Sequence, residues 1–309
     1  QRAMRDYSHI RVMPLTGVLG AEIEGADLTR PLPDPVFEEI EQAFADHSVL
    51  VFRDQDMSIE DQKRFTRRFG EFGFEPYVDT MQEHPEVIEV LKEASESGML
   101  NFGGNWHSDW SFQEAPPRAT ILHAKEIPPF GGDTCFASMY LAYDTLSDGM
   151  KAMLEGLNVM HSARRPYGVG NKLFGKFNRA MKIHNTEEAH AELAHPAVRT
   201  VPESGRKALF VNPVYSIRFE NMSERESRPL LEFLHAHATR IELTCRVRWA
   251  PGTLTIWDNR CVQHNAMNDY DGYRRLLHRT TVRGERPWLE GRAPGGAGER
   301  EPSLAQSAG

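Results

Sequence analysis

Residues 105–110 of this 309-residue chain read NWHSDW and place His107 and Asp109 two positions apart. On an extended backbone, side chains at positions i and i+2 point to the same face of the strand. An imidazole and a carboxylate on one face can bind a single metal ion together. An HxD pair alone is common by chance, so a metal site requires a further ligand elsewhere in the chain.

That further ligand is available near the carboxyl end, where residues 257–260 read WDNR and His264 follows. Two histidines and one carboxylate form a facial triad, which leaves positions open on octahedral Fe(II) for a bidentate co-substrate and oxygen. Arg275 and Arg279 come shortly afterwards. An arginine suits a dicarboxylate co-substrate because its guanidinium fork matches a carboxylate bidentately.

Short apolar segments dominate the rest of the pattern. They predict strands at residues 9–13, 48–52, 87–91, 120–124, 134–137, 209–212, 244–249, 254–257 and 276–282. Helical spacing and capping boxes predict helices at about 32–46, 58–70, 140–157 and 223–238. Many short strands with few helices indicate a mainly β protein, either a barrel or a double-sheet jelly roll decorated by helices.

No linker divides the chain, so residues 1–290 are predicted to form one domain. Residues 164–188 carry six Arg and Lys residues with interspersed glycines, and they predict a lid-like insertion over an anionic ligand. A solvated surface loop is the alternative interpretation of this segment. Residues 291–309 are rich in Gly, Ala, Pro, Ser and Glu and predict a disordered tail.

Composition narrows the class of protein. The formal net charge of −8 and the pI near 5.9 argue against nucleic-acid binding, which requires clustered Lys and Arg. No stretch reaches the roughly 20 apolar residues of a membrane span, and the mean hydropathy is −0.52. Cys135, Cys245 and Cys261 are an odd number without a CxxC motif, which favours free thiols in the cytoplasm.

Taken together, four motifs closely resemble a known family. They are the HxD pair, GGDT at 131–134, WDNR followed by QH at 263–264, and RRLLHR at 274–279. The chain resembles the iron(II)- and 2-oxoglutarate-dependent dioxygenases of the taurine dioxygenase and 2,4-dichlorophenoxyacetate dioxygenase family over roughly residues 15–287. The resemblance implies a double-stranded β-helix, a cupin-like jelly roll, which agrees with the strand pattern.

The resemblance also implies a ligand set and a reaction. His107, Asp109 and His264 would bind Fe(II), which uses O2 and 2-oxoglutarate to hydroxylate a C–H bond of a small organic acid. Succinate and CO2 would be released, and ascorbate is expected to stimulate turnover. If the hydroxylated carbon bears a heteroatom, the product would separate into a carbonyl compound and a leaving group.

Further roles are carried over from the same family. Thr134 and Arg275 match the pair that holds the distal carboxylate of 2-oxoglutarate, and Arg279 matches the arginine at the substrate and co-substrate anions. In taurine dioxygenase, a histidine after the FGE motif helps hold the sulfonate. Here residues 72–77 read FGFEPY without histidine, and the bulky Trp110 follows the motif aspartate, which disfavours taurine.

Tyr167 and Tyr215 fall where taurine dioxygenase has pocket phenylalanines, although core packing is an equally good explanation for both. Together with Trp110 they predict an aromatic substrate pocket with Arg279 as its cation, which suits a sulfonate, an alkyl sulfate or an aryloxyalkanoate. Alternatives are a non-catalytic jelly-roll binding protein, a desaturase or another oxidative outcome at the same iron, and a zinc hydrolase. The family further implies a homo-oligomer, either dimer or tetramer.

Overall fold

The computed structural model describes residues 5–96, 101–170 and 179–292. The strands of these residues are β1 Arg11–Pro14, β2 Ala21–Glu24, β3 Val49–Phe52, β4 Ile88–Lys92, β5 Ala119–Glu126, β6 Thr134–Ser138, β7 Asn158–His161, β8 Leu193–Pro196, β9 Val198–Thr200, β10 Lys207–Leu209, β11 Ser216–Phe219, β12 Thr244–Val247, β13 Leu254–Asp258, β14 Val262–Ala266 and β15 Arg275–Val282. The helices are α1 Asp34–His47, α2 Ile59–Phe69, α3 Met139–Asp144, α4 Asp148–Glu155, α5 Arg164–Tyr167 and α6 Glu224–Ala238.

A seven-stranded sheet with the order β1-β2-β3-β13-β5-β15-β4 is the larger of two sheets that enclose the core. All pairs are antiparallel except β2 with β3. Every residue of β3 is buried. Its sequence VLVF is therefore a continuous apolar run, because both faces of the strand are covered.

A three-stranded antiparallel sheet, β12-β6-β14, faces the larger sheet. Val51 of β3 and Leu122 of β5 share one buried apolar cluster with Phe136 of β6 and Val262 of β14. This core between two sheets is the arrangement of a jelly roll. Two smaller sheets, β11-β7-β8 and β10-β9, extend it.

Helices α1 and α2 cover the outer face of the larger sheet. Phe44 of α1 and Phe65 of α2 lie in a buried cluster with Phe52 and Ile121 of the sheet. The predicted capping box starts α2, since Ser58 Oγ accepts from the amide of Asp61, whose carboxylate accepts from the amide of Ser58. Local capping chemistry thus placed this helix correctly.

Two predicted elements were wrong in detail. The helix expected at 140–157 is two helices, α3 and α4, because Ser147 Oγ accepts from the amide of Met150 and starts a new helix. The strand expected at 209–212 is β10, which ends at Leu209. Beyond it, Asn212 Oδ1 accepts from the amides of Val214 and Tyr215 and turns the chain instead.

The predicted insertion at 164–188 lies partly outside the described residues, since the structure describes 164–170 and 179–188 of it. Within these parts, α5 is followed by a short 3₁₀ turn at Glu188–His190. The predicted tail lies outside the described residues from 293 onward. In the described part of the chain, no helix has the length and apolarity to cross a membrane.

Candidate active site

The three predicted metal ligands converge at one buried point. Backbone hydrogen bonds pair His107 with His264 of β14 in both directions, at N–O distances of 3.1 and 2.8 Å. The Asp109 Oδ1 atom lies 3.4 Å from His107 Nε2 and 3.9 Å from His264 Nε2. One ligand atom from each residue falls within 4.8 Å of the other two. This geometry suits the shared coordination of one metal ion.

The hydrogen bonds around the triad orient its donor atoms for a metal. His107 Nδ1 lies 2.6 Å from the carbonyl oxygen of Asn105. A carbonyl only accepts hydrogen bonds, so we assign the proton to Nδ1 and the lone pair to Nε2, which faces Asp109. The residues therefore fit a divalent cation such as Fe(II), which neutral imidazole and carboxylate donors bind together in sites of this kind.

A facial set of two imidazoles and one carboxylate leaves one side of the metal open, which is the arrangement that non-haem Fe(II) oxygenases use.

A chain of hydrogen bonds behind the triad holds its carboxylate. Asp109 Oδ2 accepts a 2.6 Å hydrogen bond from Thr120 Oγ1, which leaves Oδ1 to face the histidines. Thr120 in turn accepts from Asn259 Nδ2 at 2.8 Å, and Asn259 Oδ1 accepts from Trp257 Nε1 at 3.0 Å. Sequence reasoning missed the role of Thr120 because nothing in its strand pattern distinguishes it from a packing residue.

Charge keeps the triad in its metal-binding protonation state. Burial acts to raise the pKa of Asp109, but the guanidinium of Arg279 and the two histidines lower it well below its usual range. Burial also lowers the pKa of His264 far below that of a free imidazole. The carboxylate is therefore ionised and this imidazole is neutral at physiological pH, as metal ligation requires.

A small cavity of about 30 Å³ adjoins the triad, and we call it the inner cavity. Thr134, Arg275 and Arg279 line it together with His264. Arg275 is buried and donates from Nη2 to the carbonyl of Gly132 at 3.0 Å, while its Nε has no hydrogen-bond partner. An orphaned buried donor beside a cavity fits an anionic ligand.

Two further contacts prepare the inner cavity for a carboxylate. The indole Nε1 of Trp249 lies 3.0 Å from Thr134 Oγ1. An indole N–H only donates, so the Thr134 hydroxyl accepts this bond and keeps its own hydrogen for another acceptor. Gly132 has a φ of 69°, and a Cβ there would lie 3.0 Å from Arg275 Nε. The GGDT turn therefore needs glycine where the arginine passes.

A larger cavity of about 330 Å³, the outer cavity, adjoins the inner one and shares Phe102, Gly103 and His107 with it. His107 and Asp109 form its inner wall, and Tyr167, Tyr215 and Arg165 also line it. Burial raises the pKa of both tyrosines, so their hydroxyls stay protonated. Both tyrosines thus line a cavity at the triad, and their part in substrate binding stays a prediction.

Trp110 supports the outer cavity from behind and is only 1% exposed. Its ring centroid lies 5.6 Å from that of Tyr167 and 6.5 Å from that of Tyr215. The guanidinium carbon of Arg279 lies 5.3 Å from the centroid of the same indole ring. Trp110 therefore packs between the cavity tyrosines and the arginine, although it was predicted to line the pocket itself.

Glu75 is a site residue that sequence reasoning missed. Its side chain is 4% exposed, and its Oε2 accepts a 2.6 Å hydrogen bond from Trp110 Nε1. The same oxygen lies 3.5 Å from Arg279 Nη2, whereas Oε1 has no hydrogen-bond partner. The local signal is in residues 72–77, which lack the histidine of taurine dioxygenase and carry this glutamate instead.

The two neighbouring arginines of α5 differ in direction. Arg164 forms ion pairs with Glu192 and Glu224 and does not line the outer cavity. Arg165 lines that cavity and donates from Nη1 to the carbonyls of Pro213 and Ser216, at 2.8 and 2.9 Å. Only the tertiary structure separates these two residues.

Comparisons with known proteins agree with this site. The family model described as "Taurine catabolism dioxygenase TauD, TfdA family" matches residues 11–281. The chain is 33% identical to an alkylsulfatase of Acinetobacter baylyi, over 89% of this chain and 86% of that protein. It is 35% identical to the alpha-ketoglutarate-dependent 2,4-dichlorophenoxyacetate dioxygenase of Cupriavidus pinatubonensis, over 87% of this chain and 96% of that protein.

Solved structures extend the comparison to the fold. A taurine dioxygenase from Burkholderia xenovorans matches with a TM-score of 0.77 and 33% identity, covering 92% of this chain and 94% of that one. AAD-2 in complex with Mn(II) and N-oxalylglycine matches with a TM-score of 0.73 and 31% identity, covering 90% and 98%. These matches confirm the predicted cupin-like jelly roll with helical decoration.

The chain belongs to the taurine dioxygenase and 2,4-dichlorophenoxyacetate dioxygenase family. It is an Fe(II)- and 2-oxoglutarate-dependent dioxygenase, an oxidoreductase that uses O2, as the sequence predicted. The alternative of a non-catalytic binding protein is not favoured by these relatives.

Proposed function

We propose that the enzyme hydroxylates a C–H bond of a small organic acid of the sulfonate, alkyl sulfate or aryloxyalkanoate type. The observation that carries this proposal is a pair of adjoining cavities at the triad, the inner lined by two arginines and the outer by two tyrosines. Relatives described as sulfate ester, sulfonate and 2,4-dichlorophenoxyacetate dioxygenases support the substrate class.

His107, Asp109 and His264 would hold Fe(II) beside the two cavities. When bound, iron and 2-oxoglutarate supply the oxidising chemistry with O2 and release succinate and CO2. The protein supplies position and shielding. The hydrogen bond from Thr120 holds the Asp109 carboxylate in place as a ligand.

Thr134 and Arg275 would orient the distal carboxylate of 2-oxoglutarate in the inner cavity. The Arg275 guanidinium supplies a positive charge and directed hydrogen bonds. The Thr134 hydroxyl accepts from Trp249 and so can donate its own hydrogen to the carboxylate. Arg279 lines the inner cavity and contributes a fixed positive charge beside Asp109, with 3.4 Å between Nη2 and Oδ1.

Tyr167 and Tyr215 would position the prime substrate in the outer cavity and exclude water from the reacting carbon, with Trp110 packed behind them. If the hydroxylated carbon bears oxygen or sulfur, the product separates into a carbonyl compound and a leaving group. Desaturation of the same carbon is the second oxidative outcome that this site would permit.

Succinate release tests the proposal directly. The purified protein would be supplied with Fe(II), ascorbate, 2-oxoglutarate and a panel of sulfonates, alkyl sulfates and aryloxy acids. We expect succinate in excess of the background without acid, with a product that has gained one oxygen atom. Succinate release that no acid of the panel stimulates would contradict the substrate class, and loss of two hydrogens from the acid would indicate desaturation.

The proposal extends to assembly, location and the lid. We propose a homo-oligomer, dimer or tetramer, in the cytoplasm, where the free thiols of Cys135, Cys245 and Cys261 would remain reduced. Residues 164–188 are proposed to close over the outer cavity, which is supported by the position of Arg165 and Tyr167 in its wall. Light scattering during gel filtration tests the assembly.

A further inference from the structure

The position of Glu75 affects whether the positive charge of Arg279 is available to an anionic prime substrate. Arg279 Nη2 lies 3.4 Å from Asp109 Oδ1 and 3.5 Å from Glu75 Oε2, and all three side chains are at most 4% exposed. One buried cation therefore faces two buried carboxylates. At such distances and burial, charges of opposite sign compensate each other strongly.

A count of formal charges shows that the inner part of the site is electrically neutral once Fe(II) and 2-oxoglutarate are bound. Bound Fe(II) and the 2-oxoglutarate dianion cancel each other. The two arginines, Arg275 and Arg279, are cancelled by the two carboxylates, Asp109 and Glu75. An anion beside Arg279 would find donors in Nε and Nη2, which have no hydrogen-bond partner, but it would find no counter-charge, and burial of an uncompensated charge is costly.

The outer cavity offers a different cation. Arg165 is the sole lysine or arginine among the described residues that line this cavity. Its Nη1 is bound to the carbonyls of Pro213 and Ser216, which fix the guanidinium near Tyr215. It stands at the solvent side of a wall whose inner end is formed by His107 and Asp109.

We propose that Arg165 holds the anionic end of the prime substrate at the rim of the outer cavity, while Glu75 neutralises Arg279 and so rejects an anion at the inner end. The acid then lies with its apolar body between Tyr167 and Tyr215 and with its far end toward the triad. This inference rests on the proposed function and narrows it to acids whose reacting C–H bond is remote from the anion.

The orientation has a chemical consequence. Hydroxylation of a remote carbon consumes O2 and 2-oxoglutarate, converts C–H to C–OH, and releases succinate and CO2. The bond between carbon and the sulfur- or oxygen-bearing anion stays intact. Hexyl sulfate would therefore yield a hydroxyhexyl sulfate, and no inorganic sulfate would accompany the succinate.

Binding to an inert complex tests the proposal without turnover. The protein would be loaded with Mn(II) and N-oxalylglycine and titrated calorimetrically with hexyl sulfate, 2,4-dichlorophenoxyacetate and neutral 1-hexanol. Arg165→Gln should weaken binding of both acids roughly tenfold, the value of one charge-assisted hydrogen bond, and leave that of hexanol unchanged. Arg165→Lys keeps the charge and should retain most of the affinity.

Arg164→Gln is the matched control, since the neighbouring arginine is engaged by Glu192 and Glu224 outside the cavity. Glu75→Gln keeps the side-chain shape and an oxygen that accepts from Trp110. It should strengthen binding of the short acid ethanesulfonate roughly tenfold, because Glu75 then no longer compensates the charge of Arg279. Thermal unfolding of each variant checks that the fold is intact.

The outcomes separate this inference from the proposed function. Equal affinity for the acids in the wild type and Arg165→Gln would overturn the inference and leave the function standing. Unchanged ethanesulfonate binding in Glu75→Gln would overturn the role of Glu75, and sulfate released in step with succinate from hexyl sulfate would overturn the orientation. Failure of the wild type to bind any acid would overturn both the inference and the proposed substrate class.

Discussion

The inner and outer cavities share one triad but are built from different parts of the fold. The inner cavity is lined mostly by strand residues of both main sheets, among them Thr134 of β6, His264 of β14 and Arg275 of β15, and it shares residues 102, 103 and 107 with the outer cavity. The outer cavity is lined by residues 101–107, by α5 and by residues 213–215, which lie outside the two main sheets. Strands hold side chains more rigidly than loops, and loops tolerate substitution better.

This contrast explains how one fold serves many substrates. In the proposed function, the inner cavity takes the co-substrate that the family shares, so its site is built into the core. The outer cavity takes the prime substrate, which differs among relatives, and it is formed by segments that can change without disturbing the sheets. Perturbing each cavity separately therefore tests whether the two are independent.

The largest effect should come from the carboxylate of the metal-binding triad. Asp109→Ala leaves two neutral imidazoles without a compensating charge for the dication, so metal affinity should fall and succinate release should drop to background. Iron binding by equilibrium dialysis and succinate assays measure both effects. Asp79→Ala, on the surface beside His184, is the control. Wild-type activity of Asp109→Ala without added chloride or formate would contradict the ligand assignment.

Removal of Arg275 should affect the inner cavity alone. Arg275→Ala should raise the KM for 2-oxoglutarate at least about tenfold, because a charge-assisted hydrogen bond contributes on the order of 1.5–3 kcal/mol. Arg274→Ala is a matched control at the residue before the same strand, since Arg274 pairs with Glu93 and Glu126 at the surface. A change confined to the prime substrate would mean that the roles of Arg275 and Arg279 are exchanged.

The support behind the triad should matter somewhat less than the ligand it holds. Thr120→Val removes the donor to Asp109 Oδ2 and should lower Fe(II) affinity roughly tenfold, the lower end of the range for such supporting contacts. Thr281→Val is the control, because the buried Thr281 hydroxyl has no hydrogen-bond partner. Equal affinities for iron in the two variants would show that the hydrogen bond does not tune the metal site.

A substitution in the outer cavity should have a milder effect, confined to the KM for the prime substrate. Tyr215→Phe removes one hydroxyl from its wall and should raise the KM for the prime substrate by a few fold, about the effect of one neutral hydrogen bond. The KM for 2-oxoglutarate should stay unchanged, and Tyr273→Phe, a partly exposed residue, serves as the control. A matching rise for 2-oxoglutarate would show that the cavities are coupled.

The smallest effect should be a change in the protection of backbone amides from hydrogen exchange rather than in the rate of catalysis. Amides of residues 164–170 and 179–188 should exchange more slowly once metal, 2-oxoglutarate and a turnover-competent acid are all bound without oxygen. Closure of a lid would shield the reaction from solvent. Hydrogen exchange with and without the acid measures this, and equal protection in both states would identify the segment as a surface loop.

Much of the site was predictable because its signals are local. The spacing of His107 and Asp109, the WDNR motif before His264 and the position of Arg275 are all properties of short stretches. Helix α2 was predictable for the same reason, since Ser58 and Asp61 cap it within one turn. Where local signals were ambiguous, as at Ser147 within the predicted helix 140–157, the boundaries were wrong.

The amino-acid sequence by itself determined the class of fold, the triad and the co-substrate pair, because residue type and spacing along the chain specify them. The tertiary structure alone decided that Thr120 supports Asp109, that Arg165 and not Arg164 enters the outer cavity, and that Glu75 lies beside Arg279. Each of these depends on a contact between segments far apart in the chain. The direction of a side chain across such a distance is set by packing, and no local pattern records it.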